Sequence, residues 1–183
     1  MTSAERERAV AYLAETRDNW ARTARGLSGT QLQFRPSPGS WSVGECIEHI
    51  VVVESFVLSS MEKVVQGAPD PSKSSAHQGP DEALIQRIAS RATRVQAPER
   101  IVPTGRWPHD QLLGEFEAAR KRTSGFTAST NAQLRQHFFP HPMFGDLNCY
   151  QWLLLIGAHG ERHRAQAEEV LASPDFPRAA APV

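Results

Sequence analysis

Apolar residues recur at helical spacing through most of this chain, and four long stretches carry them. From about Ser3 to Arg25, the positions Val10, Leu13, Trp20, Ala24 and Leu27 follow that spacing with charged residues between them, which predicts one amphipathic helix. Gly26 and Ser28-Gly29-Thr30 stop it, and Phe34 to Ser40 carries two prolines and a glycine that oppose continuation. Ser42-Val43-Gly44-Glu45 then has the spacing of a capping box, so a second helix begins there and runs to about Gln66. Ile47, Ile50, Val51, Val53, Phe56, Val57, Leu58, Met61 and Val64 make it apolar around much of its circumference, as in a helix packed on several sides. Glu54 interrupts that run. A buried carboxylate needs a partner, so it is read as a core ion-pair member or as a neighbour of a functional site.

Residues 67–81 are rich in proline, serine and glycine and predict a polar loop, with His77 in it exposed. Asp81 can cap a shorter helix whose stripe is Leu84, Ile85, Ile88, Ala92 and Val95. A proline-marked connection, 97–108, leads to a helix opening at His109-Asp110 with Leu112, Leu113, Phe116, Ala119 and Phe126 on its apolar side. The next connection, about 130–147, reads as a loop across the open end of the bundle, with Phe138, Phe139, Met143 and Phe144 between fixed proline bends. No two runs show the alternation of a β-hairpin. Asn148 can cap a last helix ending near Ser173, and the tail 174–183 is too rich in proline and alanine to predict as ordered. The pattern predicts an all-α fold: a four-helix bundle with long crossover connections and a short additional helix, in one domain over 1–173.

Within the last helix, His159 and His163 stand four residues apart. That is about 400° of rotation, so both imidazoles leave one face, roughly 6 Å apart along the axis. Trp152, Ile156 and Val170 share the stripe, which turns the pair inward. His49 lies on the apolar side of the second helix with Cys46, Val53 and Phe56, and is the candidate third ligand. Three imidazoles leave coordination positions open, as catalytic sites do and structural sites do not. The spacing alone equally suits two histidines hydrogen-bonded in a helix interface. Glu161, two residues after His159, points about 200° away, which disfavours the HExxH protease arrangement. Glu45, one turn before His49, is read as a cap, with a role behind the ligand as its alternative; Gln166, one turn after His163, is a candidate for the same supporting role. Cys46 is read as a small buried thiol, Trp41 as packing, His141 as either near the open position or stabilising its turn, and His109 and His137 as exposed or capping.

Composition narrows the function. Twenty basic and twenty acidic residues in 183 balance to a formal net charge of zero, so no global field favours nucleic acid or an anionic membrane. Two cysteines, Cys46 and Cys149, are too few for a disulfide framework and suggest reduced thiols. The charged start MTSAERERAVAYL does not read as a signal peptide, and no apolar run reaches the ~18 residues of a membrane span. The expectation is a cytoplasmic protein acting on a small molecule, with homodimerisation compatible with the fold.

Three motifs make the chain resemble the DinB-like, or YfiT-like, four-helix-bundle superfamily of metal-dependent enzymes: W-S-x-x-E-x-x-x-H at Trp41, Ser42, Glu45 and His49, H-P-x-x-G at His141, Pro142 and Gly145, and H-x-x-x-H-R-x-Q at His159, His163, Arg164 and Gln166. The resemblance covers nearly the whole chain. It implies that His49, His159 and His163 bind a divalent metal, commonly zinc, nickel or iron. It implies either hydrolysis or transfer and isomerisation with a low-molecular-weight thiol such as mycothiol or bacillithiol, with a coordinated water or thiol as the reacting group. The alternative is a non-catalytic, stress-associated bundle that binds metal or a small ligand.

Overall fold

A computed structural model describes residues 1–93 and 95–178. Among the described residues six α-helices form: α1 (Ser3–Ala24), α2 (Gly29–Gln33), α3 (Val43–Val64), α4 (Asp81–Ala89), α5 (Leu112–Ser129) and α6 (Cys149–Leu171). Four start at complete capping boxes, Thr2 with Glu5, Ser28 with Gln31, Ser42 with Glu45, and Asn148 with Gln151, so the rotational phase of each is fixed by local chemistry. Helices α1 and α3 each pack against both α5 and α6, which makes a four-helix bundle in which the two ligand-bearing helices α3 and α6 are neighbours. Helix α4 lies against α6. Among the described residues, no helix is long and apolar enough to cross a membrane.

The structure departs from the sequence expectations at several points. Ser28 caps a short helix, α2, where a stop was expected. Helix α4 begins after Pro80 with no side-chain cap, because Asp81 is occupied by Arg135 at 2.7 Å, and it ends at Ala89, leaving Ala92 and Val95 outside it. The connection before α6 contains a β-hairpin, β1 (Phe138–His141) paired antiparallel with β2 (Gly145–Asn148) and Phe139 opposite Leu147. Pro140 and Pro142 hid it. Phe56 lies on the outer surface at 49% exposure, with the Arg100 guanidinium 5.3 Å from its ring centre, and His137 is buried where the hairpin joins α6. In the tail, residues 179–183 fall outside the described residues.

The core has two apolar clusters, one around Leu13, Met61, Leu84, Leu153 and Leu154, the other around Trp20, Ile47, Leu112, Phe116 and Val170. Between them runs a polar layer. Glu54 of α3 and Arg120 of α5, 3% and 1% exposed, form an ion pair at 3.0 Å, which identifies Glu54 as a core ion-pair member. Arg120 also donates to the Leu13 carbonyl (2.7 Å) and to Thr16 Oγ1 (2.6 Å) of α1, and Trp20 Nε1 donates to the Gly160 carbonyl of α6 at 2.9 Å. Within a turn of Gly160, α1 and α6 touch closely: a Cβ on Gly157 would lie 2.5 Å from Tyr12 Cε1. Gly157→Ala is therefore expected to lower stability by about 1–3 kcal/mol through overpacking. Urea denaturation checks this, and an unchanged midpoint would mean that Tyr12 swings aside at no cost.

Candidate metal centre

The Asn148 cap sets the phase of α6 so that Trp152, Ile156, His159 and His163 share one stripe facing α3 and the core. The Ser42 cap does the same for α3, carrying His49 to the opposing surface. Glu45 is consumed by that cap: its carboxylate accepts the Ser42 N–H at 2.8 Å and is gripped by Arg35. This corrects the alternative of Glu45 as a partner behind His49, because both its oxygens are turned toward the helix start and Arg35.

Here the three histidines meet. One ring nitrogen from each of His49, His159 and His163 lies within 4.8 Å of the other two. His49 Nδ1 is 2.8 Å from the Ile101 carbonyl, an acceptor only, so the proton sits on Nδ1 and Nε2 is bare. Gln166 Oε1 is 3.0 Å from His163 Nδ1 and also accepts from Arg91 Nη1 at 3.2 Å, which places a proton on His163 Nδ1 and frees its Nε2. Gln166 therefore accepts from the ligand. Between His49 Nε2 and His159 Nε2, 3.3 Å apart, one proton suffices, and it belongs to His159. Four nitrogens around a tetrahedral zinc at 2.0–2.1 Å stand about 3.3 Å from one another. One edge of such a tetrahedron is thus already present: His49 and His163 offer bare Nε2 atoms, a shift of the His159 proton to Nδ1 would free the third, and three imidazoles suit zinc, nickel or iron alike.

The surroundings keep these rings uncharged. Burial pushes His163 down to about 3, with His49 and Arg162 adding repulsion and the Gln166 bond opposing it. Burial, then His163 and His49, lowers His159 well below its ordinary value, and burial lowers His49 despite its bond to Ile101. Neutral imidazole is the form that binds metal. Trp41 covers the site from one side, its ring centre 4.8 Å from that of His49 and 5.7 Å from that of His163. By surface exposure His159 is the least covered of the three, although its ring is enclosed by protein on most sides.

The remaining sequence candidates fall elsewhere. Cys46 is fully buried with its thiol pushed up by burial, and it does not join the histidine cluster. His141 ties its hairpin turn together, Nδ1 accepting from the Met143 and Phe144 amides at 3.1 and 3.3 Å, and its ring packs on Trp152. Burial lowers it to about 4. Half-buried His77 bonds the Pro80 carbonyl and lines a polar recess of about 350 Å³ with Ser75, Asp81, Arg135 and Gln151; His109 contacts Gln33. Sequence reasoning missed Glu48, Arg91 and the Ile101 carbonyl. Glu48 and Arg91 look like ordinary polar positions, and a backbone carbonyl leaves no signature in a sequence.

The sequence model of the DinB superfamily matches residues 12–167, a span that includes all three histidines. The chain belongs to the DinB superfamily. The uncharacterized protein YuaE of Bacillus subtilis (strain 168) is 26% identical over 151 residues, covering 80% of this chain and 86% of its own. The fold resembles that of YfiT from Bacillus subtilis, described as a probable metal-dependent hydrolase with an unusual four-helix bundle topology. The TM-score is 0.61 at 13% identity, over 93% of this chain and 87% of YfiT. That likeness establishes a shared bundle. The three-histidine cluster of this DinB chain is compatible with a divalent metal.

Proposed function

We propose that this DinB protein is a metal-dependent hydrolase of small molecules, with His49, His159 and His163 as the ligands of one divalent cation. The observation that carries the reading is the convergence of three imidazoles, one ring nitrogen of each within 4.8 Å of the others, with no fourth His, Cys, Asp or Glu in the cluster among the described residues. When bound there, a divalent cation supplies Lewis-acid chemistry, polarising a substrate oxygen and lowering the pKa of a water or thiol it binds. The chain's own residues do the rest. Ile101 and Gln166 hold two imidazoles in the ligating tautomer, and Trp41 excludes water from one side. The description of YfiT as a probable hydrolase supports hydrolysis; transfer to a low-molecular-weight thiol uses the same open position and belongs in the same substrate screen.

The test is metal content of untagged protein, purified without chelator, beside His49→Ala, His159→Ala and His163→Ala. About one divalent cation per chain is expected in the wild type, with near-complete loss in each variant. Metal-free wild type after reconstitution with zinc, nickel and iron would overturn the proposal. Turnover of ester, amide or thiol-adduct substrates by the loaded protein then separates an enzyme from a bundle that only stores metal.

A further inference from the structure

Glu48 immediately precedes His49 and is buried, yet it reaches no residue of the histidine cluster. Its carboxylate instead accepts the backbone N–H groups of Thr104 (2.7 Å), Gly105 (2.9 Å) and Arg106 (3.2 Å), and Arg106 Nη1 at 3.0 Å. Three successive amides can converge on one carboxylate because Gly105 has φ of +76°, a conformation that strains any residue with a side chain. Such a run of amides is an anion-binding nest, and here its occupant is the chain's own carboxylate.

The same loop carries the carbonyl that holds His49. Arg106 Nη1, while bound to Glu48, also donates to the Val102 carbonyl at 3.2 Å, and Val102 directly follows Ile101. Neighbouring residues of α3 therefore grip neighbouring parts of one loop: Glu48 holds its turn, and His49 meets the carbonyl that the turn presents. A buried carboxylate is a costly way to pin a loop that an apolar contact could hold, unless direction matters. Direction matters at Ile101. The ring nitrogen left bare for a metal is decided by what the other nitrogen bonds.

We propose that Glu48 is a positioning residue for the metal centre, acting through the 102–106 nest to fix the Ile101 carbonyl and so hold His49 as the Nδ1–H tautomer with Nε2 free. The metal-affinity part of this rests on the three histidines being ligands; the tautomer part does not.

The experiment therefore reads both. Long-range ¹H–¹⁵N spectra of the full metal-free chain report the tautomer of His49, and competition with a chelating dye reports zinc affinity. Wild type should show His49 as Nδ1–H. Glu48→Gln keeps the shape but sets amide hydrogens against the nest. It should mix the His49 tautomers, leave the His163 tautomer unchanged and weaken zinc about 10–100-fold. Gly105→Ala reaches the nest by another route, since its Cβ meets nothing within 4 Å, and should move both readouts in the same direction. If both variants keep the wild-type tautomer and bind zinc within twofold of wild type while only melting earlier, Glu48 is a loop clamp and the proposal falls. An Nε2–H tautomer in wild type overturns it directly, even if Glu48→Gln does not fold. If wild type binds no zinc, the proposed function fails while the tautomer comparison still decides this point.

Discussion

Arg120→Ala is expected to cost about 3–5 kcal/mol of folding stability, a large share of the 5–15 kcal/mol of a typical domain. The loss comes less from attraction than from what is stranded. Without the guanidinium, Glu54 keeps a carboxylate in a layer it cannot leave, and the Leu13 carbonyl and Thr16 hydroxyl lose their donor. Combining Arg120→Met with Glu54→Gln should recover part of the deficit, because no charge then remains buried. Denaturant titration of the two single variants and the double variant measures this as a coupling energy. Additive losses would show that water reaches Glu54 once Arg120 is gone.

Acid should unfold the metal-free protein early. In the unfolded chain histidines take up protons near pH 6.5, whereas burial keeps native His163 neutral to about 3 and lowers His49 and His159 as well. Below pH 6.5 the unfolded state thus binds more protons than the native state, so stability falls as pH falls. Each such imidazole costs up to about 1.4 kcal/mol per pH unit, and the three together up to about 4. Partly exposed His141, lowered to about 4, adds a smaller contribution because solvent screens it. Calorimetry in chelator should find a flat melting temperature above pH 7 and a steep fall between pH 6.5 and 5. His163→Gln should flatten that fall. Equal melting temperatures at pH 7.5 and 5 would show that the imidazoles ionise in place.

The bundle and its three histidines were legible because both rest on periodicity. Capping residues and apolar spacing are local, so α1, α3 and α6 could be placed closely, and four-residue spacing alone puts His159 and His163 on one face. What escaped depends on distant partners. Glu48 sits among polar positions of α3 and finds its role 56 to 58 residues later in the 104–106 turn. Phe56 was misassigned because apolar character does not say which side of a nearly all-apolar helix lacks a neighbour. The hairpin escaped because strands of four residues, one containing proline, carry almost no alternation to read.

The polar layer has one more effect. Apolar helix surfaces tolerate sliding past one another, since one leucine ridge fits much as the next does. Glu54 on α3, Arg120 on α5, Leu13, Thr16 and Trp20 on α1 and Gly160 on α6 interlock at one level of the bundle. A slip of a single turn, about 5.4 Å, would break those bonds and carry His49 more than its present 3.3 Å from His159. The layer thus works as an alignment key, holding two helices from opposite halves of the chain at the height where their imidazoles meet.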